Sequence, residues 1–222
     1  MKYSALATDY DGTLATEGLV DQSTLNALKR YRDRGGQLLL VTGRELDELL
    51  QVFPHYPLFH SIVAENGAVV YHPQKETVSL LADPFPPALV ETLSARGVNP
   101  ISQGRIVVAT WQPHGETVQK TISDLNLEAT VILNKRAVMI LPNGINKASG
   151  LTTALEQLGL DPDQVAGVGD AENDEHLLGT CGFGVAVANA LPALKTKADW
   201  VTTGARGAGV QELINHLVDQ LS

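Results

Sequence analysis

Two aspartates stand one residue apart in the run Asp9-Tyr10-Asp11-Gly12-Thr13-Leu14, directly after a short apolar stretch. A carboxylate can attack phosphorus and hold the group as an acyl phosphate, which divides one difficult displacement into two easier ones. A second carboxylate nearby can protonate the leaving oxygen and later take a proton from the attacking water. Asp9 suits the first part and Asp11 the second, while Gly12 lets the chain turn tightly enough for backbone amides to face an anion. Three further polar clusters could join them: Thr42-Gly43-Arg44, Glu65-Asn66-Gly67 and Gly169-Asp170-Ala171-Glu172-Asn173-Asp174. Asp9, Asp11, Asp170 and Asp174 brought together would repel and raise one another's pKa unless a cation intervened. Oxygen donors, with no His or Cys inside the clusters, favour Mg2+ over Zn2+. We expect Asp9 and Asp170 as side-chain ligands and Asp11 through its backbone carbonyl, with Asn173 and Asp174 either on the metal or one water away. A phosphate ester also needs a hydroxyl and a cation around its oxygens. Thr42 and Lys147 can supply them, although Thr42 could equally cap a helix.

These residues act together only if the fold gathers them. Residues 3–8, 37–41 and 61–64 read as strands and residues 23–34 and 45–53 as helices, a βαβαβ start. Gln37-Leu38-Leu39-Leu40-Val41 is a continuous apolar run of the kind that parallel sheets bury on both faces. The pattern resumes with a helix over 147–158, a strand over 165–168, a helix after Asn173, a strand over 184–187 and a last helix over 210–221. The expected fold is α/β, a doubly wound parallel-sheet (Rossmann-like) core with right-handed crossovers. Ligands of such sheets bind outside the carboxyl ends of the strands, which is where all four polar clusters fall.

Between the two halves the rhythm changes. Asp83-Pro84-Phe85-Pro86-Pro87 is a stiff, extended stretch and Pro142-Asn143-Gly144 a turn signal. They bracket a helix (88–96), a strand (105–111), a helix (115–125) and two strands (129–133, 137–141) joined by Asn134-Lys135-Arg136 as a hairpin. Residues 83–143 are therefore expected to form a smaller inserted α+β cap domain, and residues 1–82 with 144–222 the catalytic core. If the hairpin tip faces the cleft, Asn134, Lys135 and Arg136 grip a second anionic or hydroxyl group; if it faces away, they are a charged turn.

The four motifs, in order, resemble those of the haloacid dehalogenase-like phosphatases: Asp9 to Leu14, Val41-Thr42-Gly43-Arg44, Lys147 in Asn146-Lys147-Ala148-Ser149-Gly150, and Gly169 to Asp174. With Glu65-Asn66-Gly67-Ala68 and an insertion between the second and third motifs, the chain is similar to the Cof-type and sucrose-phosphatase-like branch. The cap is short for that branch, a feature shared with archaeal-type phosphoglycolate phosphatases. The resemblance implies Mg2+-dependent hydrolysis of a small phosphorylated metabolite, of the phosphoglycolate or sugar-phosphate class, through an aspartyl phosphate. Gly12, Thr13, Gly43, Arg44, Asn66 and Arg136 are the expected substrate contacts. An exposed salt bridge for Arg44 and a turn amide for Asn66 are the plainer alternatives. Ala171 stands where many relatives carry Gly, while Asp170 and Asn173-Asp174 keep their spacing. A phosphotransferase or mutase would pass the same aspartyl phosphate to an alcohol, and a non-catalytic regulatory module binding phosphoesters would have no use for Asp11.

Composition narrows the field further. The 222 residues suit one main core with a smaller insertion. A net charge of −9 with no dense basic run opposes binding to nucleic acid or an anionic membrane. An anionic substrate is still compatible where a metal and a few local cations reverse the field inside one cleft. Gly comes fourth in the first motif, not sixth as in an EF-hand, and Glu172 replaces the third glycine of a dinucleotide fingerprint after Gly167-Val168-Gly169. The single Cys181 suits a buried, inert thiol, and neither a signal-peptide pattern nor a membrane-length apolar run occurs. A cytoplasmic protein is expected; the pattern does not set its oligomeric state.

Overall fold

The first half follows its apolar pattern into β1 (Ala5–Thr8), α1 (Gln22–Asp33), β2 (Gln37–Val41), α2 (Leu46–Val52) and β3 (Ser61–Ala64). β1 and β3 are buried along their whole length, as strands covered on both faces must be. Asp21 starts α1 by accepting a hydrogen bond from the Thr24 amide, which satisfies one of the helix's orphan donors. Two strands beyond those expected follow, β4 (Val69–His72) and β5 (Thr77–Leu80). β4 pairs antiparallel to both β3 and β5. The inserted segment then forms α3 (Pro87–Ala95), β6 (Ser102–Gln103), β7 (Val108–Trp111), α4 (Gly115–Asp124), β8 (Ala129–Asn134) and β9 (Ala137–Pro142). The chain returns as α5 (Lys147–Leu158), β10 (Val165–Gly169), α6 (Glu175–Thr180), β11 (Phe183–Ala186), α7 (Pro192–Lys195), β12 (Trp200–Val201) and α8 (Gly207–Asp219). This structure, a computed structural model, describes residues 2–134 and 136–219; Lys135 of the expected hairpin tip and Gln220 and Leu221 of the expected last helix lie outside the described residues.

The main sheet runs β12-β11-β10-β1-β2-β3-β4-β5. Its pairs from β12 to β3 are all parallel, so the doubly wound core carries its antiparallel hairpin at one edge only. Such an edge is common on α/β sheets. Cys181 Sγ lies against β10, where a Cβ on Gly167 would come within 2.7 Å of it. Burial pushes that thiol up to about 12, in the direction away from a reactive thiolate.

The second sheet, β6-β7-β9-β8, is antiparallel throughout. Alternation along its strands divides it into two faces. Val108, Val138 and Ile140 pack with Leu89 and Leu93 of α3 and with Val118 and Ile122 of α4. Val107, Met139 and Leu141 instead join the hydrophobic cluster of the main core. One face is thus covered by the cap's own helices and the other is turned on the core. The strand expected over 105–111 begins only at Val108, because the N–H groups of Arg105, Ile106 and Val107 donate to the Glu65 carboxylate at 2.9, 2.8 and 3.0 Å instead of to a neighbouring strand.

Candidate active site

β10, β1, β2 and β3 lie side by side and parallel, so their carboxyl ends share one edge. Asp170, Asp9, Thr42 and Glu65 each follow directly on one of those ends. The four clusters, far apart in sequence, therefore meet where an open α/β sheet binds ligands.

Lys147 is the first residue of α5. Asn146 caps that helix, its side chain accepting from the Ala148 and Ser149 amides while Ser149 Oγ accepts from the Asn146 N–H, a reciprocal capping box. Lys147, 1% exposed, donates from Nζ to Asp9 Oδ1 and to Asp174 Oδ1, both at 2.6 Å. Asp174 Oδ2 accepts from the Asp170 and Ala171 amides at 2.9 and 3.0 Å. Both Asp174 oxygens thus hold protein donors, which makes this residue the brace between Lys147 and the start of the fourth motif. Burial raises the Asp9 carboxyl from its ordinary 3.8 to about 7, Asp174 adds to the rise, and Lys147 offsets part of it. Burial alone would lower the Lys147 ammonium, but Asp174 and Asp9 outweigh it and hold the group above its ordinary range.

Asp11 is held differently. Arg44 grips it with two bonds, Nε to Oδ2 at 2.6 Å and Nη2 to Oδ1 at 2.8 Å, and reaches Glu48 Oε1 with Nη1 at 2.6 Å. The salt bridge considered as the plainer reading of Arg44 is present, with Asp11 itself as the partner. Thr42 is nearly fully buried and its Oγ1 accepts from the Arg44 amide at 3.1 Å. It caps no helix: α2 begins after Glu45, without a side-chain cap.

Asn66, at a left-handed φ of 55°, is buried and accepts from Asn173 Nδ2 at 3.0 Å. Gly67 must be glycine, since a Cβ there would lie 1.9 Å from the Asn146 carbonyl oxygen. That close approach sets the 65–67 turn against the cap of the helix bearing Lys147. Gly12 is constrained likewise: at φ 91°, an added Cβ would stand 2.4 Å from Asp170 Oδ2. Gly12→Ala is expected to displace Asp170 and strain the turn, costing about 1–3 kcal/mol of stability and roughly 100-fold in turnover. Urea denaturation and steady-state kinetics on one preparation would check both figures.

A cavity of about 370 Å³ opens between core and cap. Asp9, Asp11, Thr42, Gly43 and Arg44 line it from the core, and Val107, Ala109, Trp111, Asn134, Ala137 and Met139 from the cap. Of the expected substrate contacts, Gly43 and Arg44 line the cavity, while Gly12, Thr13 and Asn66 do not. Thr13 is fully buried, and Arg136 is exposed in its turn, away from the lining, with its backbone oxygen accepting from the Gln112 amide at 2.9 Å. Sequence reasoning does not single out Glu45, Glu48, Ser102 or Trp111, which also line the cavity, nor Asn189, whose Nδ2 fixes the Gly12 carbonyl at 2.8 Å. The only hint for Asn189 is its place just past β11, at the same sheet edge.

The donor set can be tested against Mg2+. Asp9, Asp170 and Asp174 each offer an oxygen within 4.8 Å of the others, and Lys147 answers only part of their charge. Asn173 Oδ1 is a buried acceptor without a partner among the described residues. Buried acceptors of that kind require a donor or an ion. Crowded oxygen ligands with surplus negative charge fit a hard divalent cation, and Asp9 and Asp170 are the residues that would hold it, with Asp174 bracing them.

The family model for haloacid dehalogenase-like hydrolases matches residues 6–96 and 104–214. A phosphoglycolate phosphatase of Pyrobaculum aerophilum is 31% identical, over 96% of this chain and 95% of its own. Another, of Methanothermobacter thermautotrophicus, is 29% identical over 96% of this chain and 98% of its own. Among solved structures, a haloacid dehalogenase-like hydrolase of Bacteroides thetaiotaomicron superposes with a TM-score of 0.82 at 20% identity, covering 97% of this chain and 99% of that one. Motif order, the inserted cap and the match over nearly the whole length agree, and the chain belongs to the haloacid dehalogenase-like hydrolase family.

Proposed function

We propose that this haloacid dehalogenase-like phosphatase hydrolyses a small phosphorylated metabolite, of the phosphoglycolate or sugar-phosphate class, through an aspartyl phosphate on Asp9 with Mg2+ as cofactor. The observation that carries the reading is Asp9 itself: a buried carboxylate on the wall of the cavity between core and cap, fixed through Oδ1 by Lys147. Its second oxygen remains to attack phosphorus. As the P–O bond to the leaving group breaks, Asp11 gives that oxygen a proton. A water then attacks the aspartyl phosphate, Asp11 takes the water's proton, and the bond between phosphorus and Asp9 breaks to release phosphate. Thr42 Oγ1 and Lys147 Nζ face the phosphoryl oxygens, where fixed donors stabilise charge better than water does. Bound at Asp9, Asp170 and the Asp11 carbonyl, Mg2+ supplies neutralisation of the phosphoryl charge. The cavity's volume of about 370 Å³ is at the small-metabolite end of ligand sites, and the cap above it keeps bulk water from the intermediate. Both archaeal relatives are phosphoglycolate phosphatases by name, which supports that class of ester.

A panel of phosphate esters tests this directly. Phosphoglycolate, sugar phosphates and p-nitrophenyl phosphate should release inorganic phosphate in Mg2+, lose that release in excess EDTA, and regain it when Mg2+ is restored. Undiminished turnover in chelator would refute the metal dependence, and loss of the starting ester that requires an added alcohol, with the phosphoryl group recovered on that alcohol, would mark a transferase instead.

A further inference from the structure

Glu65 is a fully buried acid with no assigned part in the reaction. Its carboxylate accepts from three consecutive backbone N–H groups of the cap, Arg105 on Oε1 and Ile106 and Val107 on Oε2. Successive amides curled around an anion form a nest, one of the stronger sites that backbone alone can offer. The approach is close: a Cβ on Gly104 would stand 2.7 Å from that carboxylate. Glu65 holds a left-handed φ of 52°, a strained conformation for a residue with a side chain, which aims it out of the core and into the cap. The same turn is tied to the reaction centre on its other side. The Glu65 N–H donates to the Arg44 carbonyl and the Asn66 N–H to the Thr42 carbonyl, at 2.8 and 2.9 Å. Val107, the last residue of the nest, lines the cavity opposite Thr42 and Gly43.

We propose that Glu65 is an anionic latch, a positioning residue that fixes the cap over the reaction centre by seating the 105–107 amides on the turn bonded to Thr42 and Arg44. The effect on turnover rests on the phosphatase reading above, while the latch itself does not. Among the described residues, two other side-chain bridges join cap and core, Arg105 to Asp47 at 2.9 Å and Ser102 to Glu45. Both are exposed, and exposed pairs hold weakly. The buried latch, with the apolar contacts of Val107, Met139 and Leu141 on the core, therefore sets where the cap rests, and the rim contacts only follow.

Two substitutions approach the contact from opposite sides, Glu65→Gln and Gly104→Ala. The first turns an amide NH2 toward N–H donors; the second keeps the acid and pushes it out of the nest. In the full chain with Mg2+, both should speed amide hydrogen exchange at residues 105–107 by about tenfold or more, with protection of β1 and β10 unchanged. Both should also lower kcat for p-nitrophenyl phosphate by about tenfold, as misplacement of a site wall does. Unchanged exchange at 105–107 in both variants would overturn the latch. Loss of protection in β1 and β10 to the same extent would reduce Glu65 to a general stability residue, and faster exchange with unchanged kcat would remove its positioning role. Should the wild type hydrolyse no ester, the phosphatase reading fails, while the exchange data still decide the latch.

Discussion

Asp9→Asn is expected to lower phosphate-ester turnover by at least about 10⁴-fold, the scale seen when a covalent nucleophile is removed, with the fold intact. The amide keeps an oxygen for the Lys147 bond but cannot form the acyl phosphate. Stability should move in the opposite direction. The folded-state pKa of Asp9 is raised from 3.8 to about 7, so between those two values the folded protein binds more protons than the unfolded chain. Stability of the metal-free wild type therefore falls as pH rises through that window. The substituted amide does not titrate and carries no such penalty. At about pH 8 in chelator the variant should be the more stable protein, by on the order of 2 kcal/mol, and the gap should close near about pH 4. Urea denaturation at both pH values checks this. A variant less stable than wild type at the higher pH would show that the carboxylate belongs with Lys147 more than burial suggests.

Lys147→Met should have the larger structural effect. Removing the ammonium strands Asp9 and Asp174, both buried and both bonded to it at 2.6 Å. Breaking a buried ion network from one side costs about 3–5 kcal/mol, and turnover should fall with it because the phosphoryl group loses its fixed cation. The same vacated charge gives the metal more to do. Saturating Mg2+ should restore more stability to this variant than it adds to the wild type, since it then meets negative charge that no lysine offsets. Thermal melts with and without Mg2+ read the difference directly, and equal shifts in the two proteins would refute the shared site.

The core was largely legible in the sequence because its strands are buried on both faces and declare themselves as unbroken apolar runs, as at Leu38 to Val41. Three of the polar clusters that follow β1, β2 and β10 were legible for a related reason: each comes directly after such a run. The β4–β5 hairpin carries a signal too, Val69-Val70-Tyr71 and the alternating Thr77 to Leu80, yet a reading that looks for βαβ rhythm passes over it. What the sequence could not show is pairing across the sheet edge. Arg44 and Asp11 are 33 residues apart and Asn66 and Asn173 are 107 apart, and no periodicity joins them. Glu65 is the clearest case: in the chain it is one acid in a turn, and its three partners sit in a stretch that reads as strand. The place of Arg136 outside the cavity lining was illegible for another reason, since a charged hairpin tip has the same composition whether or not it faces a cleft.

The position of β1 in the sheet has a consequence for the chain while it is being made. Ala5 pairs with Val165, so one edge of β1 has no neighbour until β10 has left the ribosome. At about 5–20 residues per second that interval is on the order of 10–30 s. The cap, whose strands and helices lie wholly within the interval, can fold during it on contacts of its own. Asp9 waits beside an open sheet edge meanwhile, and meets Asp170 and Asp174 only when β10 docks. The nascent chain can therefore complete its lid before Lys147, Asp170 and Asp174, which complete the site beneath it, have been made.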